Sequence, residues 1–243
     1  MKPLPLEMLL SNAEKRQIAA KKRQGVLAFL GSGEIYSTSE ILSDLLQLSD
    51  RVTRRLLQQM SSENERLLKV DVMPTTLKLY GITPHGLATS GSDPRMKPFE
   101  IGKTNPGWVQ HHLESQLVRI RAERAGWKDW IPGKALLLNA NSDRLKKLPD
   151  SLASRPDGRK VAIEVERFVK SRKRLAVVLG EHLKQIADQK YDFVYYFSPH
   201  PQALERTLLA VQFVVIDVGK VKFSDAQRSR FRVFNLKSWD GQT

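Results

Sequence analysis

The chain contains no cysteine among its 243 residues. This absence excludes disulfides, zinc-cysteine clusters, iron-sulfur clusters and a thiol nucleophile. No apolar run approaches the roughly 18 residues that a membrane span needs. The first eleven residues include an acid, Glu7, and no cleavage site of the secretory type. These absences predict a cytoplasmic protein that does not insert into a membrane.

Acidic residues are few relative to basic ones. The sequence has 40 Lys and Arg against 26 Asp and Glu, a formal net charge of +14. The excess is uneven, since residues 96–243 carry 27 basic and 16 acidic side chains and residues 1–95 carry 13 and 10. A surplus of this size favours a polyanionic partner, and nucleic acid is the first expectation.

Residues 1–95 have the pattern of a DNA-binding domain. Helices are predicted over 11–29, from about residue 40 to 46, over 51–60 and over 85–89, with two strands flanking Met73-Pro74-Thr75-Thr76. Two short helices joined by a tight turn and followed by a hairpin predict a winged helix-turn-helix. A helical dimerisation or scaffold module is the alternative.

The second helix of such a motif enters the major groove through its early residues. Arginine and glutamine make bidentate contacts to guanine and adenine edges, and arginine also binds phosphate. The residues predicted to contact DNA are therefore Arg51, Arg54, Arg55, Gln58 and Gln59.

Residues 96–107 are predicted to be a linker, and residues 108–243 a second domain. Helices are expected over 108–125 and about 170–188. Strands are expected over 135–138, 160–166, 193–197, 213–218 and 232–236. This order predicts an α/β (α+β) fold with a mixed sheet and flanking helices.

Three acids lie where a turn meets an apolar strand in this domain. Glu164 and Glu166 are two positions apart, so they share one face of the strand, and Asp157 comes from the preceding turn. Three carboxylates suit Mg²⁺ or Mn²⁺ and predict a metal site that cleaves a phosphodiester. A strand face with ordinary solvated acids is the alternative.

The order of elements, with Pro156-Asp157 ahead of Glu164-Val165-Glu166, resembles the restriction-endonuclease-like nucleases of the PD-(D/E)xK superfamily. Glu166 fills the position of the superfamily's lysine, and Lys170 is the candidate replacement. The other interpretation of Lys170 is a member of the basic run 170–174 that binds phosphate. The run 164–174, with His111-His112-Leu113 and the segment 122–127, resembles the plasmid mobilisation protein C family, the MOBC-type relaxases.

This resemblance implies a metal-dependent nick in one strand of double-stranded plasmid DNA at the origin of transfer. A relaxosome or coupling protein is implied as a further partner. A DNA-binding regulator with a decayed nuclease domain is the main alternative, and a double-strand nuclease is a third. The five histidines, at 85, 111, 112, 182 and 200, lack the H-x-H spacing of tyrosine-dependent relaxases, and core packing is the better interpretation of at least one of Tyr195 and Tyr196.

Four further residues of the predicted helix 108–125 have two interpretations each. Glu114 and Glu123 either add an acid to the site or pair with nearby arginines. His111 and His112 either touch substrate or metal or have surface and capping roles.

Overall fold

The computed structural model describes residues 11–139, 148–217 and 219–242. Residues 1–10, used above in the signal-sequence argument, and Val218, at the end of a predicted strand, lie outside the described residues. The chain forms two compact units, Met1–Thr104 and Asn105–Thr243. Each is a mixture of helices and strands, and the whole is of mixed α/β class.

Helices of the first unit begin at polar capping residues. Ser11 and Glu14 form a capping box, and the hydroxyls of Thr38 and Thr83 accept backbone N–H groups of the following helices. Leucine and isoleucine side chains on the inner faces form the core. The helices are α1 (Asn12–Phe29, continued by a π-helical turn, Leu30–Glu34), α2 (Ser39–Leu46), α3 (Asp50–Met60) and α4 (Pro84–Ser90).

A three-stranded antiparallel sheet completes this unit. Its strands are β1 (Tyr36–Ser37), β2 (Leu68–Val72) and β3 (Lys78–Ile82), in the order β1-β3-β2. Phe99 packs on Gly81, where any Cβ would overlap its ring, and its N–H donates to the Ile82 carbonyl at 2.9 Å. Met96 is buried as well. Residues 96–99, expected in the linker, therefore pack on the first unit, because both apolar side chains find cover there.

The second unit is built on a five-stranded mixed sheet. Strands β6, β7 and β10 are parallel, and β5 and β4 are antiparallel to their neighbours. The sheet order is β10-β7-β6-β5-β4, with a separate hairpin of β8 and β9. The bounds are β4 (Lys128–Pro132), β5 (Ser151–Ser154), β6 (Lys160–Val165), β7 (Phe193–Ser198), β8 (Phe213–Ile216), β9 (Gly219–Lys222) and β10 (Phe231–Asn235).

Helices cover both faces of this sheet. The helices are α5 (Pro106–Arg124), α6 (Gly133–Asn139), α7 (Arg172–Ala187), α8 (Pro201–Leu209) and α9 (Asp225–Arg228). Val161, Ile163 and Val165 of β6 pack in the same core cluster as residues of α5, whereas Ala162 packs in the cluster that includes residues of α7 and α8. Glu164 therefore lies on the α7 side of the strand.

The first strand of the second unit differs from the prediction. Residues 135–138 were expected to be extended but lie in α6, and the strand that pairs with β5 precedes them as β4. The physical reason is composition, since Lys134-Ala135-Leu136-Leu137-Leu138 consists of strong helix formers without a β-branched residue.

Candidate active site

Three acids lie at the end of the sheet where β5 begins and β6 ends. The strands are antiparallel with Ser151 opposite Ile163, so Asp150, just before β5, lies level with Glu164. The Asp150 carboxylate accepts the Val165 N–H at 2.8 Å, which fixes it at this end of the sheet. Glu166 directly follows β6 on the same side as Glu164. Asp150, Glu164 and Glu166 are called the acid cluster below.

Asp157 lies at the other end of β6. It is in the exposed β5–β6 turn, where its carboxylate pairs with Arg155 at 2.9 Å and with Arg159 at 3.8 Å. Four residues of strand, about 13 Å at roughly 3.3 Å per residue, separate Lys160 from Glu164. The structure therefore does not bring Asp157 together with Glu164 and Glu166. Asp150 lies in the position that was expected for Asp157.

A sequence signal for Asp150 exists. Pro149-Asp150 is a second proline-aspartate pair, seven residues before Pro156-Asp157. In an antiparallel pair, the beginning of the first strand meets the end of the second. The dipeptide ahead of β5, and not the one in the turn, is therefore the one that faces the end of β6.

Glu164 is buried and held by a histidine. Its carboxylate lies 3.2 Å from Nε2 of His182 on α7, and His182 Nδ1 lies 2.7 Å from the Tyr191 hydroxyl. His182 has no exposed surface. Burial raises the pKa of Tyr191 far above its usual value, and the charge of Glu164 adds to the rise. The imidazole between a carboxylate and a neutral phenol thus gives Glu164 one fixed orientation.

Lys170 contacts the second acid of the strand. Its ammonium pairs with the carboxylate of Glu166, a buried residue whose N–H donates to the Phe197 carbonyl at 2.8 Å. Lys170 lies between β6 and α7, four residues after Glu166. Lys170, the predicted replacement for the superfamily's lysine, is therefore adjacent to Glu166, which fills the position of that lysine in the sequence.

Helix α5 adds one contact to the acid cluster and one to the neighbouring Arg167. His111 Nε2 lies 3.3 Å from Asp150, and Glu114 lies 3.3 Å from Nε of Arg167. Burial lowers the pKa of His111, but the hydrogen bond with Asp150 and the charges of Asp150, Glu164 and Glu114 outweigh it, so the pKa is raised.

The other two residues weighed on this helix pair within it. Glu123 accepts from Arg119 at 2.8 Å, and His112 contacts Gln116 at 2.9 Å. The intrahelical interpretation of Glu123 therefore agrees with its contacts. His111 contacts Asp150 of the acid cluster, and Glu114 pairs with an arginine, Arg167.

A pocket of about 620 Å³ opens over the acid cluster. Its walls combine acids, cations and two strongly exposed aromatic side chains, those of Trp108 and Phe168. The charged and imidazole groups that line it are Asp150, Glu164, Glu166, His111, Arg167, Lys170 and Arg174. A phosphate group entering this pocket meets cations as well as carboxylates.

The donors have the chemistry of a hard-cation site, because carboxylate oxygens are the ligands that Mg²⁺ and Mn²⁺ prefer. Oε2 of Glu114 is also buried, and its ion-pair contact with Nε of Arg167 at 3.3 Å does not have the geometry of a hydrogen bond. Across residues 11–139, 148–217 and 219–242, no group of three or more His, Cys, Asp or Glu side chains is arranged to hold a metal ion. The side chains fit the cation by type, while their present contacts are with protein groups.

The predicted DNA contacts of the first unit share one helix. Arg51, Arg54, Arg55, Gln58 and Gln59 are all exposed on α3, whose opposite side is buried. Arg54 pairs with Asp50 at 2.7 Å, and the Gln59 side-chain oxygen accepts from Arg23 at 3.3 Å.

Comparison of the chain with protein families, with curated proteins and with solved structures finds no match. Among the described residues, no helix has both the length and the apolar character needed to cross a bilayer.

Proposed function

We propose that the chain is a metal-dependent DNA endonuclease that nicks one strand of plasmid DNA at the origin of transfer and so starts conjugative mobilisation. The observation that carries the proposal is the position of Asp150, Glu164 and Glu166 at the same end of a mixed sheet and around one pocket, with Lys170 in contact with Glu166. The resemblance to MOBC-type relaxases and PD-(D/E)xK nucleases supports the same activity. Asp150 replaces Asp157 in the proposed site.

Mg²⁺ or Mn²⁺ would be held by the three carboxylates of the acid cluster. A bound cation of this kind polarises a phosphate and lowers the pKa of a water molecule. His182 keeps Glu164 in one rotamer by its contact at 3.2 Å, so this ligand needs no reorganisation.

Cations around the pocket have separate roles in the proposal. The Lys170 ammonium offsets the charge of Glu166 and lines the pocket, where it would stabilise negative charge that develops on the scissile phosphate. Arg167 and Arg174 line the same pocket and bind flanking phosphates. The basic side chains around the acids are explained in this way, because a DNA strand must approach the site despite repulsion between its phosphates and the carboxylates.

Water is the proposed nucleophile. Tyr195 and Tyr196 are fully buried, and the hydroxyl of Tyr195 accepts from Arg155 at 2.8 Å. Burial raises the pKa of Tyr196 well above its usual value, with Glu164 adding to the rise. Neither phenol is placed to form a DNA ester, so no covalent protein-DNA intermediate is expected on these residues.

The first unit is proposed to be a winged helix-turn-helix that selects the site. Helices α2 and α3 are joined by a short turn, and the β2–β3 hairpin follows them in the position of a wing. The exposed arginines and glutamines of α3 are the proposed base and phosphate contacts. A relaxosome or coupling protein remains the proposed protein partner.

A regulator with a decayed nuclease domain is the second candidate. It is favoured by Glu166 in the lysine position and by the engagement of all three acids with protein groups: the Val165 N–H, His182 and Lys170. Under this candidate the second unit binds DNA without cutting it.

Supercoiled plasmids with and without candidate origins of transfer distinguish the two candidates. The nuclease produces open circles only with Mg²⁺ or Mn²⁺ and only from origin plasmids. A denaturing gel then shows no protein attached to the cut strand. Binding of origin DNA without open circles in either cation would establish the regulator. Cation-independent nicking, or an adduct lost in Tyr195→Phe or Tyr196→Phe, would refute the hydrolytic mechanism.

Targeting is tested separately. A triple variant with alanine at Arg54, Arg55 and Gln58 is expected to lose more affinity for origin duplex than for random duplex, because base contacts carry the sequence information. An equal loss for both duplexes in a gel-shift titration would leave α3 as a phosphate contact only.

A further inference from the structure

Four arginines surround one buried phenylalanine at the end of the sheet opposite the acid cluster. The guanidinium carbons of Arg155, Arg159, Arg230 and Arg232 lie 5.6 to 5.8 Å from the centre of the Phe193 ring. These four residues are called the arginine cluster below. They come from the β5–β6 turn and from the beginning of β10.

Strand order explains why they meet. Phe193 at the beginning of β7 is in register with Val161 near the beginning of β6, and Phe231 of β10 pairs with Val194. Parallel strands begin at the same end of a sheet, so the turn before β6 and the chain before β10 lie together. The basic end and the acidic end of this sheet are thus fixed by the same topology.

Positive charge in the arginine cluster exceeds the negative charge that faces it. Asp157 pairs with Arg155 at 2.9 Å and with Arg159 at 3.8 Å. In the described part of the chain, no carboxylate lies within ion-pair distance of Arg230 or Arg232. Asp192 accepts the Lys160 N–H at 2.9 Å, and the exposed Lys160 side chain adds another cation nearby.

The cluster is also built to stay in place. Arg155 is largely covered and donates to the Tyr195 hydroxyl at 2.8 Å, which anchors it. Arg159, Arg230 and Arg232 are exposed, and the guanidinium group of each lies near the Phe193 ring. These contacts already restrict the side chains, so less conformational entropy is lost when they bind a ligand. Like charges held this close repel one another, and a phosphate group relieves that repulsion with several charge-assisted hydrogen bonds.

We infer that the arginine cluster is a second binding site for the phosphate backbone of DNA, separate from the acid cluster. It binds phosphates without reading bases, because its arginines come from a turn and a strand end and not from a helix or β-ribbon that enters a groove. Asp157 orients Arg155 and Arg159 toward the backbone, which gives the Pro156-Asp157 turn a role without a metal. The inference does not depend on the proposed cleavage, since binding requires no cation.

The test compares two triple variants of the full chain in EDTA, with a fluorescein-labelled duplex of random sequence. One variant replaces Arg159, Arg230 and Arg232 by alanine. The control replaces the exposed Lys190, Lys220 and Lys222 of the same unit by alanine and removes the same charge. The arginine triple is expected to weaken binding at least about tenfold and to reduce the slope of log K against log salt by about 2.7, because each phosphate contact contributes about 0.9. The lysine triple is expected to change affinity less than threefold.

A third variant separates charge from folding. Arg159, Arg230 and Arg232 replaced together by lysine keep the charge, and this protein is expected to bind within about threefold of wild type. Thermal unfolding checks that all variants are folded. Equal losses in the alanine triples, or a loss in the Arg-to-Lys triple as large as in the Arg-to-Ala triple, would overturn the inference.

Discussion

The two proline-aspartate pairs of the second unit bracket the same strand, β5, and their aspartates lie in opposite surroundings. Asp150 accepts a backbone N–H, contacts His111 and lies level with Glu164. Asp157 lies in an exposed turn between two arginines. The same dipeptide thus belongs to a carboxylate cluster at one end of the sheet and to a guanidinium cluster at the other. Strand pairing, and not the local motif, decides the chemistry of each.

Exchange of each aspartate for asparagine is the strongest test of this contrast. Asp150→Asn is expected to reduce nicking of an origin plasmid about 1000-fold, because a metal contributes several kcal/mol to the transition state and each 1.36 kcal/mol is tenfold. Asp157→Asn is expected to stay within about threefold of wild type under the same Mg²⁺ assay. A large loss in Asp157→Asn with none in Asp150→Asn would reverse the assignment of the site.

Stability is expected to differ between the two ends as well. His182→Ala leaves Glu164 buried without its imidazole and is expected to cost about 3 kcal/mol in urea unfolding. Tyr191→Phe removes one buried hydrogen bond and is expected to cost about 1 kcal/mol. Asp157→Ala, at an exposed turn, is expected to cost under about 1 kcal/mol. Similar losses in the free energy of unfolding for His182→Ala and Asp157→Ala would show that the buried Glu164–His182 contact stabilises the fold no more than an exposed ion pair.

Lys170 sharpens the contrast within the basic run. Lys170→Ala is expected to slow nicking about 100-fold, the loss typical of one electrostatic contact to a transition state. Lys173→Ala is the matched control, because this lysine is exposed on α7 two residues after the helix cap and is absent from the pocket lining. If single-turnover nicking fell equally in both variants, Lys170 would be a general phosphate contact.

The smallest expected effect is a change in the pKa of His111. The pKa of His111 is raised above 6.5, so its protonated form stabilises the fold below about pH 6.5, and this contribution is lost as the pH rises through the folded pKa. Asp150→Asn is expected to lower the pKa of His111, and Asp157→Asn is expected to leave it unchanged. NMR titration of the imidazole signals measures both. An unchanged pKa in Asp150→Asn would show that the 3.3 Å contact does not persist in solution.

Periodicity along the chain predicted most of the helices and strands, and the alternation in β6 correctly grouped Glu164 with Glu166. The choice of Asp157 came from nearness in sequence, whereas Asp150 reaches the acids through antiparallel pairing across a hairpin. His111 and His182 come from two different helices, and only tertiary packing brings them to the strand. The strand expected over 135–138 was wrong because an apolar run was given more weight than helix propensity. The DNA-binding and nuclease roles stay predictions.

Phe99 on Gly81 has a practical consequence for dividing the protein. A fragment that stops at residue 95 would lose the ring that covers Gly81 and the backbone bond to Ile82, and its exposed sheet would invite aggregation. A fragment that extends to Thr104 keeps both. Expression of the first unit alone, for crystallisation or for binding assays with origin duplex, should therefore use a terminus at 104.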